Sequence, residues 1–369
     1  MGFIPTEEQQ LIDDTVARLL DKQWDPRREM NTLSSQVAGG TLWNELNELG
    51  LLGLALPESA GGGGMGPAEL SILCRRFGRH QVRAPFLASQ VLAGTALAHA
   101  PAGPKRDALL AQLAGGAVTL TLATLESDAG YDHRLIEAQA SRSGDSLSLS
   151  GCKRAVMDAG IAEHVLVSCR LDDAPALLVV DAASSGLRVE SYAAFDGTSL
   201  ATVYLDAVAV SDDAILARGD AALTALDAAL AAGALAAASE TLGACEGALE
   251  RTLDYLRIRE QFGTVIGRFQ ALQHRAADLH AELEMLRSLV AGACQSLAEN
   301  PAHGDAYAAL ALAVPVGDHV CREAIQMHGG IGMTQELGIG RYLLRVNALS
   351  RLFGDAAHNG GLYLATLEV

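Results

Sequence analysis

The sequence predicts an α+β protein with an N-terminal helical domain (residues 1–115), a central antiparallel β domain (116–215) and a C-terminal four-helix bundle (216–369). Stretches at both ends repeat apolar residues every three or four positions, which is typical of amphipathic helices. The middle stretch alternates apolar and polar residues, which is typical of half-buried strands. Half of the residues are hydrophobic but only 4% are aromatic. The core must therefore consist mainly of Ala, Leu and Val, as in closely packed helices.

The N-terminal domain begins with a predicted helix that Thr6 can cap, and its apolar residues fall on one side: Leu11, Ile12, Val16, Leu19 and Leu20. A second amphipathic segment covers residues 42–52. Four consecutive glycines then follow at positions 61–64. They could suggest a phosphate-binding loop, but no Gly-Lys-Ser/Thr follows them. We therefore predict a mobile connection at this point.

The sequence pattern changes near residues 115–116, where short runs that alternate apolar and polar residues begin. They start at Val118, Ser146, Val165, Ala176, Leu187 and Ala201. Turn-forming Gly, Asp and Ser residues separate the runs, and no helical pattern lies between them. This order favours an antiparallel sheet, because parallel strands need long crossover connections.

The C-terminal bundle is predicted to contain long helices at residues 220–258, 269–299 and 303–328. Pro315 lies inside the third helix and should kink it. Between the first two helices, Arg259-Glu-Gln-Phe-Gly interrupts the apolar pattern and predicts a local break. An arginine at such a break can extend its charge beyond the surface where the helices pack.

The net charge of −17 argues against binding to nucleic acid or to anionic membranes, which need an excess of Lys and Arg. Six scattered cysteines form no Cys-x-x-Cys pair, and no His cluster has metal-ligand spacing, so we expect free thiols and no metal site. The N-terminus has no apparent secretory signal. The apolar run 221–242 contains polar residues and predicts a buried helix, not a membrane span. A cytoplasmic protein is the expectation.

Three motifs carry a family resemblance: Arg259-x-x-Phe-Gly, Phe269-Gln270 and Gln326-x-x-Gly-Gly-x-Gly. Together with the order of helices, strands and bundle, they resemble the acyl-CoA dehydrogenase family over the whole chain. The resemblance implies FAD as cofactor and an acyl-CoA substrate that is oxidised between Cα and Cβ. It also implies electron transfer to an electron-transfer flavoprotein, and a tetramer in which FAD reaches across a subunit interface.

The resemblance assigns roles to six cofactor-binding positions. Arg259 would face the FAD pyrophosphate of a neighbouring subunit, and a guanidinium can form paired hydrogen bonds with phosphate oxygens. Phe262 would pack beside the adenosine, and Gln270 would hydrogen-bond near it. Three further residues would cradle the adenosine and pyrophosphate: Gln326, Gly329 and Gly330.

The sequence departs from the family pattern at the catalytic base, which is usually a glutamate followed by glycine. Gly354 occupies the glutamate position, and Asp355 follows it. Some relatives carry the glutamate on the first helix of the bundle, but Gly233 stands there, and nearby Glu240 is expected to support packing. In the β domain, Met157 replaces a hydroxyl residue that would hydrogen-bond the flavin ring.

Three interpretations follow. The chain could be an active FAD-dependent acyl-CoA dehydrogenase, a homotetramer with Asp355 as its catalytic base. It could instead be the supporting subunit of a heterotetramer, similar to bacterial enzymes of sterol side-chain breakdown, that supplies the phosphate side of the FAD site to a catalytic partner. A flavin-free helical scaffold is the third alternative.

Overall fold

The computed structural model describes residues 5–24, 37–143 and 146–367. Helices form the N-terminal part: α1 (Glu7–Gln23), α2 (Thr41–Glu48), α3 (Pro67–His80), α4 (Gly94–His99) and α5 (Pro104–Ala114), with a π-helical stretch at Leu87–Ala93. The predicted cap of α1 is confirmed. Gln9 N donates to Thr6 Oγ1 over 3.1 Å, and Thr6 N donates to Gln9 Oε1 over 3.0 Å. This reciprocal pair satisfies donors at the helix start.

The glycine run is a packed turn, which differs from the predicted mobile connection. A Cβ atom on Gly62 would lie 2.3 Å from Leu56 O, and one on Gly63 would lie 2.8 Å from Leu54 O. Gly63 N also donates to Gly53 O over 2.9 Å. Glycine occurs here because the two backbone segments approach too closely for any side chain.

Among the described residues, eight strands form one sheet in the middle of the chain: β1 (Leu120–Ala123), β2 (Gln139–Ser143), β3 (Ser146–Met157), β4 (His164–Leu171), β5 (Ala174–Asp181), β6 (Leu187–Ala193), β7 (Ser199–Val210) and β8 (Ile215–Arg218). Their order is β6-β7-β3-β2-β4-β5-β8, and β1 pairs with β4. The pairs are antiparallel as predicted, except that β1 and β2 run parallel to β4.

The C-terminal part is helical as predicted: α6 (Asp220–Ile258), α7 (Gln270–Glu299), α8 (Asp305–His328), α9 (Gly340–Leu352) and α10 (Ala356–Leu367). A two-stranded hairpin, β9 (Glu260–Gln261) and β10 (Thr264–Val265), separates α6 from α7. Helix α8 packs against α7, α9 and α10. The α+β prediction is thus confirmed.

Helix α6 is long and apolar enough to cross a membrane, by length and composition alone. However, 67% of its most apolar window is buried inside the protein. Burial of this kind is typical of a core helix in a packed bundle, as the sequence predicted.

The chain divides into two compact units. The first contains residues 1–31, 67–82 and 234–369, and the second contains residues 32–66 and 83–233. In the first unit α3 and α6 cross almost in backbone contact, because a Cβ atom on Gly78 would lie 1.9 Å from Glu240 O. The three-domain boundaries at residues 115/116 and 215/216 stay a prediction.

Candidate functional site

The break predicted at Arg259 is a tight β-hairpin. Strands β9 and β10 are joined by Phe262 and Gly263, whose φ angles are 54° and 78°. Positive φ at both turn residues matches a type I′ turn, which favours Asn or Gly. Phe262 is 91% exposed, so burial within this chain does not explain a bulky residue at a strained position.

The hairpin closes on itself and directs its predicted cofactor residues outward. Ile266 N donates to Arg259 O over 2.8 Å, and the rings of Phe262 and Phe269 meet edge to face with centroids 6.2 Å apart. The side chains of Arg259 and Gln270 are exposed, and neither forms an ion pair or side-chain hydrogen bond with the described residues. These groups are available to a ligand from outside the chain.

The second predicted segment begins at the last turn of α8, where Gln326 is exposed. Gly329 ends the helix with φ 67° and ψ −145°, a conformation that requires glycine, and its N–H donates to Gln326 O. Gly332 is packed, since a Cβ atom there would lie 2.5 Å from Ile325 O. Gly330 has no such constraint: its φ is not positive, and a Cβ atom would meet no atom within 4 Å. A close-approaching ligand would explain a glycine at position 330.

A stack of two rings joins these segments, and sequence reasoning missed it. Tyr255 lies one turn before Arg259, and His328 lies between Gln326 and Gly329. Their ring centroids are 4.5 Å apart, with planes inclined by 27°. Both residues sit beside the recognised motifs, but only the packing of α6 against α8 reveals that they meet. The stack links the Arg259 hairpin to the glycine segment.

Asp355, the predicted base, caps the start of α10. Its Oδ1 accepts a hydrogen bond from His358 N over 2.9 Å, which is an ordinary N-cap contact. The carboxylate is exposed, and none of the described hydrogen bonds joins it to the hairpin or to the glycine segment. Its catalytic role stays a prediction.

Gly354 is locked in place by its surroundings. Its φ is 91°, and a Cβ atom would lie 2.4 Å from the His358 ring and 3.1 Å from Asn359 Nδ2. The fully buried Asn359 amide donates to the carbonyls of Phe353, Gly354 and Asp355. A glutamate at position 354 would need a different turn.

Glu240 forms a structural ion pair, consistent with the predicted role in packing. Its carboxylate accepts hydrogen bonds from Arg345 Nε over 2.6 Å and from Arg345 Nη2 over 3.0 Å. The exposed fractions of the two side chains are only 7% and 12%. The remaining candidate position, Gly233, is buried and carries no acid.

The second unit holds a buried ion pair at the start of the flavin-facing segment that the resemblance implies. Lys153 Nζ lies 2.5 Å from Glu126 Oε1 and also donates to Thr124 O and Ser168 Oγ. Burial lowers the pKa of Lys153, and the hydrogen bond and charge of Glu126 oppose that shift. Met157 is buried at the end of β3 and offers no donor. The side chains of Lys153 and Met157 are therefore both occupied by contacts inside the second unit.

Comparison with known proteins identifies the family. Residues 6–117 match the acyl-CoA dehydrogenase N-terminal domain, and residues 223–358 match the C-terminal domain. Acyl-CoA dehydrogenase FadE27 of Mycobacterium tuberculosis is 30% identical over 367 residues, covering 96% of each chain. The chain belongs to the acyl-CoA dehydrogenase family. It is therefore a member of an oxidoreductase family, as predicted.

Two solved structures are similar to this chain over nearly its whole length. A chain of the ChsE4-ChsE5 complex from Mycobacterium tuberculosis has a TM-score of 0.90 and 28% identity, covering 100% of this chain and 99% of that chain. A chain of a variant of the Tcur3481-Tcur3483 steroid ACAD has a TM-score of 0.87 and 32% identity, covering 98% of this chain and 99% of that chain.

FAD is the cofactor of this family, and of this chain as a member of it, which excludes the flavin-free scaffold. The hairpin and the glycine segment fit its phosphate end. Arg259 offers a guanidinium without a partner among the described residues, Gln326 offers an exposed amide, and Gly330 leaves room for close approach. The described residues contain no group of three or more His, Cys, Asp or Glu side chains placed to hold a metal ion.

Proposed function

We propose that this chain is one subunit of a hetero-oligomeric, FAD-dependent acyl-CoA dehydrogenase that introduces an α,β double bond into a CoA thioester. The chain holds the phosphate end of FAD, and a related dehydrogenase chain supplies the catalytic base. The observation that carries this proposal is the turn at Gly354, where a positive φ and crowded surroundings exclude the glutamate of the family.

We infer that the other acids near the expected base positions do not replace that glutamate. Glu240 is paired with Arg345, and Asp355 caps its own helix. The α-proton of a CoA thioester needs a carboxylate within hydrogen-bond reach. We therefore assign proton removal to the partner chain.

The residues that this chain contributes bind and orient the cofactor. Arg259 would donate hydrogen bonds to the diphosphate oxygens of FAD, and Gln326 would add an amide contact. Gly329 and Gly330 let the diphosphate approach the backbone. When bound, FAD supplies the acceptor for the hydride from Cβ.

The similar structures support the assembly. One is named as a complex of two components and the other as a two-component steroid enzyme. We propose a related dehydrogenase chain as partner, in a heterotetramer, and a steroid-derived acyl-CoA as substrate. An electron-transfer flavoprotein as acceptor and a cytoplasmic location complete the proposal.

The alternative is a homotetramer that uses Asp355 as its base, which its exposed carboxylate next to Gly354 favours. Asp355→Asn separates the two candidates, because Asn caps a helix as well as Asp but cannot accept the proton. The proposed subunit role predicts unchanged turnover in the assembled enzyme. Loss of turnover with retained FAD would favour the homotetramer.

The assembly itself is tested by expressing the chain alone and together with a related dehydrogenase that carries the family glutamate. The FAD content per chain and dye reduction with acyl-CoA are measured in both preparations. The proposal predicts little FAD in the chain alone and bound FAD with turnover in the co-expressed complex. A yellow, active homo-oligomer from the single chain would overturn it.

Arg259→Ala tests the cofactor contact in that complex. Loss of a charged hydrogen bond costs about 1.5–3 kcal/mol, so FAD should bind roughly 10- to 150-fold more weakly. Arg257→Ala is the matched control, because it removes the same charge two residues earlier on α6, where Arg257 pairs with Asp254. Equal effects of the two variants would contradict the assigned role of Arg259.

A further inference from the structure

The stack between Tyr255 and His328 ties together the two segments that hold the FAD phosphates. On the α6 side, Arg259 N donates to Tyr255 O over 2.9 Å, so the ring and the arginine share one helical turn. On the α8 side, His328 is the last helical residue, directly before Gly329. Displacement of either ring would therefore displace one phosphate-binding segment relative to the other.

The His328 ring has a defined orientation. Its Nδ1 lies 2.7 Å from Ala324 O, so this nitrogen carries the hydrogen and donates it. The residue is only 4% exposed, and burial lowers the pKa of the imidazole. This hydrogen bond and the stacking contact with Tyr255 both orient the ring.

A cavity beside the two rings makes the contact between Tyr255 and His328 important for their positions. Tyr255 and His328 both form part of the wall of a cavity of about 840 Å³ within the first unit. Other parts of the wall are Arg251, Ile258 and Tyr342. Tyr255 is half-buried and lacks packing on the side that faces this cavity, so its position depends on its remaining contacts, which include the stack with His328.

We propose that Tyr255 and His328 are positioning residues for FAD: their stack fixes the separation between Arg259 and the segment Gln326–Gly330. Neither ring needs to touch the cofactor. This inference rests on the proposed function, because it assumes that both segments bind one diphosphate. A mismatch in their separation weakens diphosphate binding even when every binding side chain is present.

The test measures FAD affinity in the co-expressed complex by flavin fluorescence, together with the thermal unfolding midpoint. Tyr255→Ala and His328→Ala should each weaken FAD at least about tenfold, with turnover at saturating FAD within about twofold of wild type. Tyr255→Phe and His328→Phe keep a ring on each side and should stay within about threefold of wild-type affinity.

A stability control distinguishes positioning from general destabilisation. Leu310 on α8 is 1% exposed, so Leu310→Ala should lower the unfolding midpoint at least as much as the ring deletions. Its FAD affinity should nevertheless remain near wild type. If Leu310→Ala weakens FAD as much as Tyr255→Ala does, the positioning role is wrong.

Amide hydrogen exchange in the chain without FAD gives an independent readout. Exchange at Gly329, whose N–H donates to Gln326 O, should accelerate in Tyr255→Ala but not in Tyr255→Phe. Unchanged exchange at Gly329 in Tyr255→Ala would overturn the inference. This holds even if Tyr255→Ala folds poorly and FAD affinity can be titrated only in His328→Ala. If Arg259→Ala weakens FAD binding but neither Tyr255→Ala nor His328→Ala does, the positioning role is also overturned, and the proposed function stays intact. No effect of Arg259→Ala would instead overturn the proposed function.

Discussion

Gly243→Ala should strongly destabilise the crossing of α3 and α6. A Cβ atom on Gly243 would lie 1.8 Å from Arg75 O and 2.6 Å from Arg75 C. Real contacts of this kind are about 3 Å or longer, so the helices would have to separate by more than about 1 Å. That separation would strain two neighbouring contacts: the buried Ser71–Ser239 hydroxyl pair at 2.7 Å and the Arg75–Glu246 ion pair at 2.7 Å.

The expected cost is about 3 kcal/mol, at the upper end of the usual range for overpacking a core. For a chain of this length, that corresponds to a fall of roughly 4 °C in the thermal midpoint. The matched control is Gly292→Ala on α7, where the glycine is exposed and a Cβ atom would meet nothing within 4 Å. This second change should stabilise the protein by about 0.5–1 kcal/mol, because alanine restricts the unfolded chain and favours helix.

Differential scanning calorimetry of both variants under one set of conditions provides the comparison. The two midpoints should move in opposite directions, although each variant adds the same single methyl group. A Gly243→Ala midpoint within about 1 °C of wild type would show that α3 and α6 do not cross in backbone contact. A fall in the Gly292→Ala midpoint would refute the assignment of that position as open.

Three further predictions concern a buried charge, a strained strand residue and a titrating ring. Arg345→Met leaves the Glu240 carboxylate buried without this ion-pair partner and should cost about 3–5 kcal/mol, whereas adding Glu240→Leu should restore much of the loss in urea unfolding. Ala155 has φ 49° in β3. Ala155→Gly should therefore leave the free energy of unfolding unchanged or raise it by up to about 1 kcal/mol. A clear loss of stability in urea unfolding would contradict backbone strain at Ala155. Because burial lowers the pKa of His328, the unfolded chain takes up this proton more readily, and the stability contribution is lost as pH falls below about 6.5. The free energy of unfolding of wild type relative to His328→Phe should decrease as the pH is lowered from about 8 to about 5.5, a range that brackets this transition. An unchanged difference between the two proteins would refute the prediction.

Periodic patterns in the sequence predicted the elements well. The helix predicted at residues 220–258 has those bounds in the structure, and the one predicted at 269–299 begins one residue later. Long repeats of apolar residues are strong signals because many positions report the same helix face. The alternating runs likewise predicted the strands, but their parallel pairing at β4 depends on contacts distant in sequence.

The glycines illustrate what a single sequence could not reveal. Gly62, Gly243, Gly330 and Gly354 are the same residue type, yet one closes a packed turn, one permits a helix crossing, one leaves open space and one adopts φ 91°. Each role depends on which atoms from other segments lie nearby. Family resemblance named Gly330 and flagged Gly354, but only the tertiary structure shows that the first has open space around it and that the second lies in a crowded turn with positive φ.

Local patterns in the chain were enough to predict the α+β class, the family and the residues proposed for the phosphate side of the FAD site, because periodicity and short motifs are properties of neighbouring residues. The packing of distant segments determined the remaining features. It brought Tyr255 on α6 against His328 on α8, and it paired Glu240 with Arg345, which lies 105 positions away. Such contacts depend on how helices pack, and packing depends on side-chain shape at positions that no local pattern connects.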